Sequence, residues 1–110
     1  MASKNTTNNQ YENIIISLAN VIVEQMDGVA SIAGRNRSLF KNRPGKNSGI
    51  QIYINDQSVT IDISINVYYG FRVPEVAYNL QKKLQEEIEK ATKFNVRTVN
   101  VNVVGVVFTS

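Results

Sequence analysis

The sequence predicts a single α+β domain in which a small mixed β-sheet packs two amphipathic helices against one of its faces. Two segments repeat apolar residues at the three-and-four spacing of a helix. Other segments alternate apolar with polar residues, as half-buried strands do. Because both helical stripes need a common apolar surface, one face of the sheet must cover them. The expected order is α-β-β-β-α-β, with three to four strands.

The first part of the chain predicts a tail, a helix and a short strand. Residues 1–10 are polar and are expected to form a disordered tail, which leaves residues 11–110 as the single domain. A helix is predicted from Tyr11 to about Met26, and Gly28 can end it in the left-handed conformation. A short strand is expected from Val29 to about Arg35.

The middle of the chain predicts a loop followed by a hairpin. Residues 36–49 contain Pro44 and two glycines, which is typical of a loop. Isoleucines alternate with polar residues from Ile50 to Ile54, and 55–57 have the composition of a turn. The next strand, Val59 to Val67, alternates most regularly, so the hairpin is predicted to be antiparallel.

The last part of the chain predicts a helix and a strand. Pro74 suits the first turn of a helix, and the apolar stripe behind it extends for about eighteen residues. A strand is expected from near Val96, with a bulge at Gly105, where the alternation changes phase. The connection from the hairpin through this helix predicts a parallel crossover, so the sheet is mixed.

Composition excludes several kinds of chemistry. The 110 residues contain no cysteine and no histidine. A Ser-His-Asp triad, a cysteine nucleophile and a structural zinc site therefore cannot be built. The acidic residues show no converging pair, and the Lys46 region does not match the spacing of a phosphate-binding loop. We predict no catalytic residue, no metal site and no cofactor, and hence a non-enzymatic protein.

Positive charge is concentrated in the predicted loop. The net charge is +3, and outside this cluster acids outnumber bases. Clustered cations of this kind can contact phosphate or an acidic partner, although a solvated loop is the commoner role. The cluster consists of Arg35, Arg37, Lys41, Arg43 and Lys46.

The face of the sheet opposite the helices is expected to be open and polar. Antiparallel sheets tolerate water on one face, and a face rich in Asn, Thr and Tyr also suits docking. Ordinary cross-strand packing is the alternative interpretation of its tyrosines. The candidate contact residues on this face are Tyr53, Asp62, Asn66, Tyr68, Asn100 and Asn102.

The sequence shows no targeting signal and no membrane span. The polar N-terminus has no apolar run behind its lysine, and no apolar stretch approaches the roughly 20 residues that a span requires. A cytoplasmic location is therefore expected.

Three stretches, in this order and spacing, resemble the alkaline shock protein family of Gram-positive bacteria. GVASIAG at Gly28 to Gly34 is similar to the start of a strand in that family. The stretch from Val67 to Glu89 resembles its tyrosine-glycine turn and following helix. VNVNVVGVVF at Val99 to Phe108 resembles its closing strand.

The resemblance implies a non-enzymatic adaptor or scaffold protein linked to cell-envelope stress. Such a protein forms homo-oligomers and is held near the membrane by a separate anchor protein. The family has no agreed catalytic residues, so the resemblance assigns none here. The alternative hypothesis is a nucleic-acid-binding module that uses the basic segment from Arg35 to Lys46, with binding that weakens steeply with salt.

Overall fold

The computed structural model describes residues 2–34 and 49–109. Over these residues the chain forms two helices and four strands in the predicted order. The fold is therefore the α+β class that the sequence predicts. The elements are α1 (Ala2–Gln25), β1 (Val29–Ile32), β2 (Ile50–Asn55), β3 (Ser58–Tyr68), α2 (Val73–Ala91) and β4 (Asn95–Val107).

The sheet is built around β3. Strand β4 pairs with β3 in parallel along its whole length, whereas β1 and β2 pair with it antiparallel. Because a strand has only two hydrogen-bonding edges, β1 and β2 share the edge opposite β4 and lie end to end. They meet at Ser64, whose carbonyl accepts from the Ala33 amide and whose amide donates to the Gly49 carbonyl. The mixed sheet and its parallel crossover are as predicted.

The core lies between the helices and one face of the sheet. Every second residue of β3 is buried, from Val59 to Val67, and the alternate residues are partly exposed. Helix α2 buries one stripe against this face, and α1 contributes a second set that includes Ile15 and Ile22. The buried residues of α2 are Val76, Leu80, Leu84 and Ile88.

Two boundaries near the N-terminus differ from the prediction. Helix α1 begins at Ala2, so the backbone is helical where the sequence predicts a disordered tail over 1–10. That segment is rich in Asn and Thr, which are weak helix formers, but it contains no proline or glycine to stop a helix that extends from Tyr11. Strand β1 ends at Ile32, before Arg35. Its backbone turns at Ala33 and Gly34.

Two details of the second half agree with the prediction. Helix α2 has its proline in the first turn. In β4 the register shifts where Val103 pairs with Ile65 and Gly105 pairs with Asn66, which leaves Val104 as the extra residue of a bulge. A second shift near the start of β4 leaves Arg97 out of the ladder, and the alternation of the sequence does not indicate it.

Candidate interaction surface

The polar face of the sheet is open, and the predicted contact residues lie on it. Their register places Tyr53 opposite Thr60, Asp62 beside Asn100, and Asn66 near Gly105. The side chains on β3 are partly exposed because neighbouring strands flank them, while those on β2 and β4 are exposed. The structure therefore brings these residues onto one surface, as alternation along each strand predicts.

Hydrogen bonds hold several of these side chains in place. The Asn100 amide donates to the Asp62 carboxylate over 2.6 Å, between adjacent strands. Asn66 donates to the Ser31 hydroxyl at 3.2 Å, which links β3 to β1. Tyr53 donates to the Gln51 side-chain carbonyl at 3.0 Å. The face is therefore an ordered array of amides, hydroxyls and one carboxylate.

The acidic side chains of the described residues do not cluster on this face. Among residues 2–34 and 49–109, no group of three His, Cys, Asp or Glu side chains lies close enough to hold a metal ion. Asp62 is the one carboxylate in the interior of β3, and it is occupied by Asn100. The geometry suits hydrogen bonding to another surface.

The basic cluster cannot be placed in the same way. Residues 35–48 lie outside the part of the chain that the structure describes, and this range contains all five predicted cations. Their contribution to a site remains a prediction from the sequence.

The outer edge of β4 is a second surface, which is not among the surfaces predicted from the sequence. Two α2 side chains cover the beginning of this edge. The Gln81 amide donates to the Val99 carbonyl at 2.8 Å, and the Glu89 carboxylate accepts from the Val96 amide at 2.8 Å. Beyond Val99, no side chain of the described residues makes such a bond to the edge. The sequence does indicate an edge strand without the usual protecting residues, since no charge or proline occurs from Thr98 to Phe108.

A groove of about 410 Å³ lies along the covered part of that edge, between α2 and β4. Lys82 stands over the Tyr78 ring, with Nζ 5.8 Å from the ring centroid. The polar residues that line the groove are Tyr78, Gln81, Lys82, Gln85, Arg97 and Thr98. The lining of the groove thus carries the positive charges of Lys82 and Arg97.

Exposed apolar side chains gather at the other end of β4. Val104, Val106 and Phe108 are all about half exposed or more. The Phe108 ring stacks on Tyr69 with centroids 4.7 Å apart, so the end of the strand is held against the turn that precedes α2. Clustered apolar exposure of this kind is typical of contact surfaces.

No helix within residues 2–34 and 49–109 combines the length and apolarity that a membrane crossing requires.

Comparison with known proteins finds relatives in Gram-positive bacteria. The chain is 26% identical to the uncharacterized protein YqhY of Bacillus subtilis over 98 residues, which are 86% of this chain and 73% of the relative. It is 28% identical to the uncharacterized protein Spy1535 of Streptococcus pyogenes over 91 residues, or 82% of this chain and 70% of the relative.

A third relative is a stress response regulator gls24 homolog of Streptococcus pyogenes. It is 23% identical over 99 residues, which are 86% of this chain but only 55% of that relative's length. No solved structure matches the chain.

A family model covers nearly the whole chain. The alkaline shock protein 23 family, described as having a cell envelope-related function, matches residues 2–108. The match includes both helices and all four strands, so it extends over the open polar face and the β4 edge. The chain therefore belongs to the alkaline shock protein 23 family, as the resemblance of its three stretches implies.

Proposed function

We propose that this chain is a non-enzymatic, self-associating adaptor that acts in cell-envelope stress or homeostasis. It acts in the cytoplasm and is held near the membrane by a separate anchor protein. The description of its family supports the link to the envelope. The streptococcal relative is named as a stress response regulator homolog, which supports the link to stress.

The open polar face is the observation that carries the adaptor function. Helices cover one face of the sheet, none of the described elements covers the other, and its donors and acceptors are already positioned by hydrogen bonds. A pre-ordered surface loses little side-chain entropy when a partner docks. An extended face with one carboxylate recognises another protein surface better than it recognises a small substrate, which needs a concave site.

Exposed apolar residues support self-association. Tyr69, Phe71 and Phe108 are aromatic side chains about half exposed or more at one end of the molecule. Burial of apolar surface stabilises association by about 25 cal/mol per Å² before the costs of ordering are counted. A contact between copies would remove this surface from water.

Light scattering on the purified protein tests self-association. We expect a mass well above 12.3 kDa across a concentration series. The higher mass should persist at high salt, because apolar and hydrogen-bonded contacts are screened less than exposed ion pairs. A monomer at every concentration would contradict the proposal.

A fluorescent fusion expressed in Bacillus subtilis, the organism of one relative, tests the anchoring. We expect the fusion to line the cell periphery, and Ser64→Lys to make it diffuse, because the charge lies at the centre of the polar face. Glu86→Lys is the matched control, since it adds positive charge on the exposed side of α2. Equal peripheral signal for both folded variants would exclude the polar face as the docking surface.

A further inference from the structure

We propose that β4 pairs antiparallel with β4 of a second copy, around a two-fold axis at Val101. The inference rests on the self-association proposed above and names its interface. Pairing of this kind would join two four-stranded sheets into one continuous sheet. The interface is isologous, because each copy contributes the same segment.

The direction of the β4 backbone leaves the required groups free. The Asn95 amide and the Val107 carbonyl bond toward β3, whereas the Val96 amide and the Val99 carbonyl bond to side chains of α2. Successive residues of a strand point their amides alternately to its two sides. The amides of Val101 and Val103 therefore point away from β3, and they have no partner among the described residues.

Between Val99 and the bulge at Val104, the edge carries no lysine or proline and none of the described elements covers it. Soluble proteins protect long edges with lysine, proline, short strands or a covering element. Here α2 covers the edge only at Val96 and Val99. The following residues, as far as Phe108, are valine, asparagine, glycine and phenylalanine. The bulge at Val104 is the one interruption of this edge.

The sequence of the edge matches itself in the antiparallel sense. Residues 99–103 read Val-Asn-Val-Asn-Val, which is the same in both directions. Around an axis at Val101, Val99 faces Val103 of the second copy and Asn100 faces Asn102 of the second copy. Valines then meet on the helix side and asparagine amides on the polar side, with about four new backbone hydrogen bonds, since the Val99 carbonyl already accepts from Gln81. A strand that matches itself selects a second copy over an unrelated peptide.

The same register brings the exposed apolar end of each copy to the groove of the other. Thr98 would face Val104 of the second copy, so the end of the partner strand lies beside the part of the edge that Gln81 and Glu89 cover. The side chain of Val106 lies on the helix side of the sheet, because it pairs with buried Val67. It would enter the groove of about 410 Å³ beside Gln81 and Arg97. Each copy thus supplies one apolar end and one groove.

Cysteine cross-linking tests the register, since the natural chain contains no cysteine. Hydrogen-bonded antiparallel pairs have Cα atoms about 5.5 Å apart, which lies within disulfide range. We expect Val101→Cys to form a covalent dimer under mild oxidation. Thr98→Cys is the matched control, because its two copies would lie about 20 Å apart. Equal cross-linking of both variants, or none for Val101→Cys, would overturn the register.

Val101→Pro tests the same edge without a covalent bond. Its amide faces away from β3, so the proline removes no hydrogen bond of the β3–β4 ladder. We expect the dissociation constant of the dimer to rise about 10-fold or more, through loss of both central hydrogen bonds. Circular dichroism checks that Val101→Pro is folded. If it is not, the cross-linking of Val101→Cys compared with Thr98→Cys tests the β4 interface instead.

The outcomes separate this inference from the proposed function. If the natural chain is a monomer, self-association itself fails. The β4 edge is excluded, while self-association stands, if three results occur together. These are association of the natural chain, equal association of the Val101→Pro variant and no cross-linking of Val101→Cys. A dimer of twice 12.3 kDa that depends on Val101 and cross-links there supports the inference.

Discussion

Gly49 occupies the point where β1 and β2 meet, and its substitution tests that junction. It has φ 83°, and a Cβ added there would overlap the Ala33 carbonyl oxygen. Because backbone cannot move aside as a side chain can, Gly49→Ala should lower the free energy of unfolding by at least about 2 kcal/mol. Chemical denaturation measures the change.

Gly70 provides the matched control for that substitution. It has φ 101°, but nothing lies within 4 Å of an added Cβ. Gly70→Ala should therefore cost only the strain of the left-handed backbone, about 1 kcal/mol. Equal losses for both variants would show that the contact with Ala33 is unimportant.

At the scale of one element, α2 protects the first part of the β4 edge through Glu89. Its carboxylate accepts the Val96 amide at 2.8 Å, and the bond is partly buried. Glu89→Ala should lower the free energy of unfolding by about 1–2 kcal/mol, since it leaves that amide without its partner.

Glu89→Gln separates the hydrogen bond from the charge. The glutamine carbonyl can accept the same amide, so this variant should keep most of the stability. If glutamine and alanine cost the same in thermal denaturation, the charge of Glu89, rather than its bond to β4, stabilises the element.

At the scale of the whole molecule, β3 contacts every other strand and its buried side packs against both helices. Ile63 is fully buried at its centre. Ile63→Ala should cost about 2–5 kcal/mol and unfold helix and sheet signals together. Ile14→Ala on α1 is the control, because Ile14 is 45% exposed and should change stability by less than about 0.5 kcal/mol. Separate transitions by circular dichroism and tyrosine fluorescence would contradict a single cooperative unit.

The junction at Ser64 also predicts that the segment between β1 and β2 can be exchanged. Ala33 and Gly49, which flank this segment on either side, bond to the same residue and therefore lie close together. Replacement of 35–48 by a glycine linker of about three residues should preserve the fold, with a stability change of about 1 kcal/mol.

This replacement also tests the nucleic-acid alternative. It removes five cations and no acid, so the net charge falls from +3 to −2. A salt-sensitive association of the natural chain with single-stranded or duplex DNA, lost in the folded replacement, would favour the nucleic-acid-binding module over the adaptor. The adaptor proposal expects no such association and an unchanged oligomer mass.

The elements with strong local patterns could be predicted from the sequence. The alternation from Val59 to Val67 and the stripe behind Pro74 predict β3 and α2 closely, because burial on one side leaves a regular period in the chain. The same alternation predicts which side chains share the polar face. The order and spacing of three stretches also pointed to the family.

How these elements combine depends on contacts between residues that are distant in the sequence. The strand pairing shows that β1 and β2 share one edge of β3 and meet at Ser64. Ala33 bonds to the carbonyl of Ser64 and Gly49 to its amide, although these residues are distant in the sequence. The covering of β4 by Gln81 and Glu89 depends on how α2 lies over the sheet. Local periodicity carries no information about such contacts. They cover β4 at Val96 and Val99, and those of the described residues do not extend beyond Val99.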